Sequence, residues 1–427
     1  MKRRFLPLAA VIAAIFLPLC SCTGSQIPQI AEESTPAAVS QTTSEPAPDV
    51  KDISPDRQRR IIVNNSMLHA GSSERFRKVF EKAKSGEEIT VAYIGGSITE
   101  GYTVKPDECW AYLTYQWLCE KYPDAKINYV NAGLSGTPST LGLIRADRDV
   151  IAPFGEPDIV FIEFAVNDAN DTVNKEAYES LVRKMLTLDS EPAVALMFMR
   201  TKDGYSCQNW QSEIGKNYNL PMISVNDALS LAFADGYMTW EDYSNDEAHP
   251  NPEGCKLIAE MTEHMLSGLA GDENLNRDPY WDSDTPVDPN SVEPVYGTAL
   301  VNMHLADASS ITPVSMGEYS ISSPLASFPN AWTRKGGGNE GITFETEFCD
   351  LFLVYHCNNS SRFGTAQIYV DGELKGEASG NRKDGWSNPV TKLVMRSDCV
   401  KKHTVEIKMK GDAEKQYFGI LAFGYTR

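Results

Sequence analysis

Short apolar runs alternate with amphipathic stretches through the first part of the chain. The apolar runs, which predict buried strands, cover residues 89–94, 127–130, 158–162, 193–199 and 221–225. The stretches with a helical pattern cover residues 73–84, 112–119, 141–150, 176–188 and 252–266. Strands that alternate with helices in this way form a parallel sheet with helices on both faces. The pattern therefore predicts an α/β domain, which we place at residues 58–271.

The pattern changes after Gly271. Residues 272–294 are rich in Asp, Asn and Pro and predict a linker. Short strand-like runs separated by turns follow, at residues 343–348, 351–355, 366–370, 390–395, 403–409 and 418–425. The pair Asp371-Gly372 between two of these runs is typical of a hairpin turn. Because no helical period is evident, residues 295–427 are predicted to form a smaller all-β sandwich.

The amino terminus has the pattern of an export signal. Lys2-Arg3-Arg4 precedes an apolar stretch at residues 5–19, which is too short for a comfortable membrane span but suits a secretory signal. The stretch ends in Leu-Cys-Ser-Cys, which resembles a bacterial lipobox with Cys22 as the lipidated residue. We therefore expect an exported bacterial lipoprotein, at the cell surface or extracellular, attached to a membrane through Cys22. The alternatives are a secreted protein that loses both cysteines with its signal, and a retained transmembrane anchor.

Composition adds three constraints. Residues 23–57 are rich in Ser, Thr and Pro with few bulky apolar side chains, so they predict a disordered tether. The length of 427 residues favours more than one domain. The formal net charge of −19 argues against nucleic acid or anionic lipid as a partner, because both need a basic surface, whereas a neutral substrate is not repelled. The oligomeric state is not indicated.

Neither a metal nor another cofactor is expected. The histidines other than His249 are scattered, and Asp282 and Asp284 lack the glycine and glutamate that complete a calcium loop. No Cys-x-x-Cys or zinc-like spacing occurs among the cysteines beyond the signal, so we expect mostly buried apolar side chains with at least one free thiol. Those cysteines are Cys109, Cys119, Cys207, Cys255, Cys349, Cys357 and Cys399.

Three residues have the chemistry of a nucleophile, a base and an orienting acid. Ser97 directly follows the predicted strand at 89–94, at the strand end where open α/β sheets place their sites. Asp246 and His249 are three positions apart on one segment, so the carboxylate can bind Nδ1 while Nε2 faces Ser97. A serine hydroxyl needs such a base, and the base needs its tautomer fixed. Taken alone, the Asp-x-x-His pair could equally be a surface turn.

Two further segments offer donors for an oxyanion. Each follows a predicted strand and contains a polar loop, one with Gly136 and the other with Asn167. A glycine allows its backbone N–H to approach a ligand closely, and the asparagine amide offers a second donor. The N–H of Ser97 would be the third. Acyl transfer requires donors of this kind around the tetrahedral intermediate.

These segments together resemble the SGNH hydrolases, also called GDSL esterases, over roughly residues 58–270. The four blocks match at Ser97, Gly136, Asn167 and His249, in the family's order, with Asp246 beside the histidine. The resemblance implies a flavodoxin-like three-layer domain, a Ser97-His249-Asp246 triad and an oxyanion hole made by Ser97, Gly136 and Asn167. Two positions depart from the family pattern. The first block reads Gly-Gly-Ser-Ile rather than Gly-Asp-Ser-Leu, and Ala165 replaces a glycine, which leaves the substrate size open.

The carboxy-terminal sandwich looks like the jelly-roll modules of secreted carbohydrate esterases. The implied function is hydrolysis of O-acyl esters, in particular O-acetyl esters, on a polysaccharide or oligosaccharide through an acyl-enzyme. Three aromatic residues are candidates for stacking on sugar rings, although aromatics in a sandwich are more often core: Trp332, Trp386 and Tyr417.

Three other interpretations are also compatible with the sequence. The first is a lipase or thioesterase of the same superfamily, and the second is a glycan-binding lipoprotein without activity. A third is an α/β-hydrolase, whose nucleophile motif requires a glycine where Thr99 stands.

Overall fold

The computed structural model describes residues 53–275, 277, 282–411 and 414–427. The expected signal, Cys22 and most of the tether lie outside the described residues. The described part begins with helix α1 at Pro55, slightly before the domain start expected at residue 58. Within these ranges, no helix is both long and apolar enough to cross a membrane.

The first region contains six strands and ten α-helices in alternation, all within the described residues. The strands are β1 (Met67–His69), β2 (Ile89–Gly95), β3 (Ile127–Gly133), β4 (Ile159–Glu163), β5 (Ala193–Phe198) and β6 (Met222–Ser224). The helices are α1 (Pro55–Asn64), α2 (Glu74–Lys84), α3 (Ser97–Glu100), α4 (Trp110–Lys121), α5 (Ser139–Ala146), α6 (Thr172–Leu186), α7 (Gln208–Asn217), α8 (Val225–Ala234), α9 (Trp240–Tyr243) and α10 (Pro252–Ala270). A 3₁₀ turn at Pro106–Glu108 and a π-helical turn at Asp147–Ile151 complete the set.

The strands form one sheet in the order β1-β6-β5-β4-β2-β3. Strands β2 to β6 are parallel and β1 pairs with β6 in the antiparallel direction. The chain moves from β2 outward to β3 and then crosses back to β4 on the other side of β2. This reversal creates a switch point between β2 and β4, where open α/β sheets bind their ligands. The flavodoxin-like domain that the resemblance implies is confirmed, with β1 as an additional edge strand.

Local sequence explains the elements that border the site. Every residue of β2 and β4 is buried, as expected for central parallel strands. Helix α2 buries the predicted face, which contains Phe76, Val79 and Phe80. Helix α10 starts at Pro252 with the side chain of Asn251 accepting a hydrogen bond from the Gly254 N–H.

In its described residues, the second region contains ten strands in two antiparallel sheets. They are β7 (His304–Ala306), β8 (Ser320–Ser322), β9 (Ala331–Lys335), β10 (Ile342–Phe348), β11 (Leu351–Asn358), β12 (Thr365–Val370), β13 (Glu373–Ser379), β14 (Trp386–Met395), β15 (Lys401–Met409) and β16 (Tyr417–Tyr425). One sheet has the order β10-β15-β12-β13, and the other has the order β14-β11-β16-β9-β8 with β7 beside β16. Apolar side chains of both sheets form one core. The predicted hairpin joins β12 and β13, and Asp371 and Gly372 both have positive φ.

The two regions pack directly on each other. One apolar cluster includes Ile144 of α5 together with Phe352 of β11 and Leu421 of β16. The segment between the regions also lies on the first region, because Arg183 of α6 donates to the Pro289 and Val292 carbonyls. The second region is therefore held against the helices that border the β2–β4 edge. Four of the cysteines beyond the expected signal are buried and all seven are free thiols.

Candidate active site

Ser97 lies at the switch point, immediately after β2, as the first residue of α3. The turn is tight. A Cβ on Gly95 or Gly96 would collide with Glu163 or Asn167, and one on Gly133 would collide with the α3 backbone at Glu100. These glycines therefore allow three loops to meet around the serine.

His249 and Asp246 approach Ser97 from the loop before α10. The His249 Nε2 atom is 2.8 Å from the Ser97 Oγ atom, and Nδ1 is 2.8 Å from Asp246 Oδ2. The loop is held from within, because the hydroxyl of Ser244 donates to the Asp246 and His249 carbonyls. The structure thus brings together the three residues that the sequence grouped as nucleophile, base and acid.

The environment of Asp246 favours its ionised form. Partial burial works against ionisation, but the main-chain N–H groups of Ala248 and His249 donate to Oδ1 over 2.8 and 2.7 Å. These bonds and the imidazole outweigh the burial and lower the pKa of Asp246 below its ordinary value. A carboxylate is therefore present to orient the imidazole through Nδ1.

The loop carrying Gly136 is tied to the nucleophile helix. Glu100, the last residue of α3, accepts hydrogen bonds from the N–H of Ser135 over 2.8 Å and from its hydroxyl. Gly136 itself has φ of 67°, the left-handed conformation that favours glycine. The Thr137 hydroxyl donates to the Leu134 carbonyl and closes the turn.

Asn167 lies on the loop after β4 with its amide against Gly96, next to Ser97. Its main-chain N–H donates to the Phe164 carbonyl over 3.0 Å, so the loop is a closed turn. Asn167 Oδ1 is buried without a hydrogen-bond partner among the described residues. The side chain thus lies where the sequence placed it, beside the serine and within the β2–β4 switch point. Ala165, which departs from the family pattern, is fully buried in the same turn.

Two buried carboxyl groups support these loops, and sequence reasoning missed both. Burial raises the pKa of Glu163 to about 7, although hydrogen bonds from Thr99 and from the Gly96 N–H partly oppose the rise. Burial likewise raises the pKa of Asp168 to about 8, against bonds from the Ser139 N–H and Gln211. The sequence feature that could have indicated them is an acidic residue at each end of the largely apolar segment 163–168.

A buried arginine also escaped the sequence analysis. Arg145 of α5 donates to the Ala132 carbonyl over 2.6 Å and to the Gly95 carbonyl over 3.0 Å. Arg145 therefore links the ends of β3 and β2 through these two carbonyl groups. Every residue of α5 is buried, so no helical period sets Arg145 apart, and its two carbonyl partners are distant in sequence.

The serine and histidine open into a cavity of about 260 Å³ with aromatic walls. Its lining residues are Ser97, Tyr102, Ser135, Gly136, His249 and Trp386. Tyr102 is 65% exposed and its ring lies 5.1 Å from that of His249, centroid to centroid. Trp386, which is 55% exposed, comes from β14 of the second region. Both regions therefore line one cleft.

The other two aromatic candidates have different environments. Trp332 is fully buried and packs edge-on against Phe344, so the sugar-stacking hypothesis is wrong for this residue. The hydroxyl of Tyr417 is 2.9 Å from Nδ1 of His356, away from the residues that line the cleft. In the part of the chain that the structure describes, no group of three or more His, Cys, Asp or Glu side chains could hold a metal ion.

Known proteins agree with this architecture. Residues 93–257 match the GDSL-like Lipase/Acylhydrolase family. A two-domain esterase, CEX, active on acetylated mannans, has a crystal structure with 27% identity and a TM-score of 0.75, covering 86% of this chain and 99% of that one. The same esterase co-crystallised with mannopentaose gives 27% identity, a TM-score of 0.74 and coverage of 86% and 98%. No curated protein matches the chain.

Both matches agree with the observed site. The family match spans the segment from β2 to α10, which contains all the residues of the serine site. The structural match extends over both regions. The chain therefore carries a GDSL-like lipase/acylhydrolase domain, that of an SGNH carboxylic ester hydrolase, within a two-domain esterase architecture.

Proposed function

We propose that this chain is a serine esterase that removes O-acetyl groups from a polysaccharide or oligosaccharide. The observation that carries the proposal is the hydrogen-bonded series Ser97, His249 and Asp246, with successive distances of 2.8 Å, open to a cleft with an aromatic wall. The assigned roles are nucleophile for Ser97, general base and acid for His249, and orienting carboxylate for Asp246.

The reaction proceeds in two acyl transfers. Ser97 Oγ attacks the ester carbonyl carbon while His249 Nε2 takes its proton, and a tetrahedral intermediate forms. Collapse breaks the bond to the sugar oxygen, which leaves with the proton from His249. The acetyl group is then on Ser97. Water, deprotonated by His249, attacks the acetyl carbonyl and releases acetate and the free serine.

The negative charge of the tetrahedral intermediate needs fixed donors. We assign this role to the N–H groups of Ser97 and Gly136 and to the side-chain amide of Asn167. Glu100 supports the assignment because it ties the residue before Gly136 to the helix that carries Ser97. Donors held in this way do not reorganise during the reaction, which is the condition for strong stabilisation.

The shape of the cleft favours a short acyl group on a bulky, polar alcohol. The large apolar surfaces in its lining are Tyr102 and Trp386, and both are exposed rather than arranged around a closed apolar pocket. Exposed aromatic rings suit the apolar face of a sugar while its hydroxyls remain in water. The acidic chain, with a net charge of −19, is compatible with a neutral glycan.

Two findings support a carbohydrate rather than a lipid ester. Trp386 reaches the cleft from the second region, so the sandwich contributes to the site. The similar two-domain esterase is described as active on acetylated mannans. We therefore assign an acetylated glycan such as a mannan as the substrate class, with residues 58–271 as the catalytic domain and residues 295–427 as the carbohydrate-contacting domain.

Turnover of a matched set of esters tests this function. The soluble region should release acetate from acetylated mannan or xylan oligosaccharides and should hydrolyse nitrophenyl acetate faster than long-chain nitrophenyl esters. Ser97→Ala is the control and should abolish both activities. A preference for long acyl chains would favour a lipase, and no turnover of any ester would favour a glycan-binding protein.

We also propose that the protein is exported and lipidated at Cys22, with residues 23–57 as the tether. The support is the basic and apolar pattern that precedes the lipobox-like sequence. In a bacterial host, labelled palmitate should enter the wild-type protein but not Cys22→Ala. Label in both proteins would refute lipidation at this residue.

A further inference from the structure

Trp386 reaches the cleft from an irregular point in strand β14. Strand β11 pairs Cys357 with Asn388 and Asn358 with Trp386, so Ser387 has no partner on the neighbouring strand. This arrangement is a β-bulge, in which one extra residue bends a strand and redirects the adjacent side chain. Trp386, whose ring lines the cleft, directly precedes the bulged residue Ser387.

The bulge is strained. Ser387 has φ of 78°, which is the left-handed region normally occupied by glycine. A non-glycine residue keeps this conformation only when its surroundings hold it there. Such residues cluster at ligand sites, where the strain fixes a useful geometry.

The side chain of Ser387 is held by a buried histidine. Ser387 Oγ is 2.8 Å from His356 Nε2, and His356 Nδ1 is 2.9 Å from the hydroxyl of Tyr417. His356 is only 5% exposed and its ring also contacts Phe363 edge-on. Burial lowers the pKa of His356 to about 4, so the ring is neutral at neutral pH. A neutral imidazole donates at one nitrogen and accepts at the other, which matches two hydroxyl partners.

Hydrogen bonds also link the residues on the two sides of the bulge. The Trp386 N–H donates to Asn388 Oδ1 over 3.1 Å, and the Cys357 thiol donates to the same oxygen. The Trp386 ring then packs against Gly136 of the catalytic domain. A rotation at Ser387 would therefore move the indole relative to Ser97 and His249.

We propose that the series Tyr417, His356 and Ser387 is a positioning device that holds the β14 bulge and so fixes Trp386 in the catalytic cleft. The proposal rests on the proposed carbohydrate esterase function, and it assigns substrate positioning to residues that do not touch the substrate. His356 is buried and Tyr417 is absent from the cleft lining. The device acts on binding of the glycan and not on the chemistry at Ser97.

Steady-state kinetics on two substrates tests the device. Trp386→Ala should raise KM for acetylated manno-oligosaccharides roughly three- to tenfold, the range for loss of one aromatic contact. Ser387→Ala, which removes the hydroxyl, should raise the same KM severalfold. Ser387→Ala should leave kcat for nitrophenyl acetate within about twofold of wild type, because the Ser387 side chain does not line the cleft. Ser379→Ala is the matched control, since Ser379 ends the edge strand β13 of the other sheet and its hydroxyl donates to the Asn381 carbonyl.

The double variant Trp386→Ala/Ser387→Ala separates an effect on the position of Trp386 from a general loss of protein stability. Because Ser387 acts through Trp386, Ser387→Ala should have no further effect on KM in the Trp386→Ala background. Tyr417→Phe, which removes the far end of the series, should raise KM in the same direction but less. If Ser387→Ala fails to fold, Ser387→Gly removes the hydroxyl without the strain of a positive φ, and the same KM increase is expected.

The outcomes distinguish the positioning device from the esterase function. An unchanged KM in Ser387→Ala or Ser387→Gly beside a raised KM in Trp386→Ala would overturn the positioning device and leave the esterase function intact. Additive effects in the double variant would also overturn it. An unchanged KM in Trp386→Ala would overturn both the device and the role of Trp386, whereas loss of nitrophenyl acetate hydrolysis only in Ser97→Ala would still support the esterase.

Discussion

Replacing Gly136 with alanine should disturb the catalytic cleft through two separable effects. The first is on the backbone, because Gly136 has φ of 67°, which L-residues with a Cβ rarely adopt. The second is on packing. A Cβ built at this position lies 2.8 Å from Cζ2 of Trp386 and 3.5 Å from Cε2. The substitution therefore acts at once on the indole and on the loop that carries the proposed Gly136 donor, which we call the oxyanion loop.

The expected magnitudes follow from these two contacts. A left-handed conformation costs an alanine about 1–2 kcal/mol, so the free energy of unfolding should fall by about that amount. Carbon atoms in contact prefer separations of about 3.5–4.0 Å, so the ring must withdraw by roughly 1 Å or the loop must shift. A shifted loop moves the Gly136 N–H away from the oxyanion. Loss of one such donor costs about 10²–10³-fold in kcat, and a displaced donor should lose up to about 10²-fold.

The assay compares Gly136→Ala in two backgrounds. In the wild-type background it should lower kcat/KM for nitrophenyl acetate more than it does in the Trp386→Ala background, where the ring no longer opposes the new methyl group. The loss of unfolding free energy should persist in both backgrounds, because the backbone strain does not depend on the indole. Equal losses of kcat/KM in the two backgrounds would refute the contact between the sandwich and the oxyanion loop.

Three further substitutions test other parts of the site. Asn167→Ala should lower kcat by about 10²–10³-fold through loss of one oxyanion donor, and an unchanged kcat would remove Asn167 from that role. Asp246→Asn should lower kcat for nitrophenyl acetate by up to about 10⁴-fold, because an amide does not hold the imidazole in the required tautomer; a loss below tenfold would contradict the assigned acid. Burial raises the pKa of Glu163 from 4.5 to about 7, so the folded chain binds this proton more tightly and the free energy of unfolding falls as the pH rises through that interval. Glu163→Gln should remove a pH-dependent loss of about 3 kcal/mol, measured by urea unfolding between pH 4 and pH 8. Identical pH profiles for the two proteins would show that the buried carboxyl carries no such cost.

Much of the catalytic domain was predictable because its signals are local. Strand β2 is a continuous apolar run that ends at glycines, and this pattern alone placed Ser97 at a strand end. The spacing of Asp246 and His249 likewise let one loop present both side chains. In contrast, strand β1 has three residues and lies at the sheet edge, so it has too few positions to show a period. The sequence pattern also did not predict helices α1, α3, α7, α8 and α9.

The features that shape the cleft depend on contacts between distant parts of the chain. Nothing local to Trp386 distinguishes it from Trp332, yet the first is exposed beside Ser97 and the second is core. Trp386 lies beside the bulge at Ser387, on a sandwich that packs against α5, and neither feature is visible in the sequence around it. Arg145 was equally hidden, because its partners are carbonyls of two separate strands.

The central claim is that Ser97 is a nucleophile activated by His249, and covalent labelling tests it most directly. A fluorophosphonate, which reacts with activated serine hydroxyls, should modify wild-type protein once, and peptide mass spectrometry should locate the adduct on Ser97. The His249→Ala variant should react much more slowly, and Ser97→Ala should not react at all. Modification at another residue, or an equal rate in His249→Ala, would contradict the account.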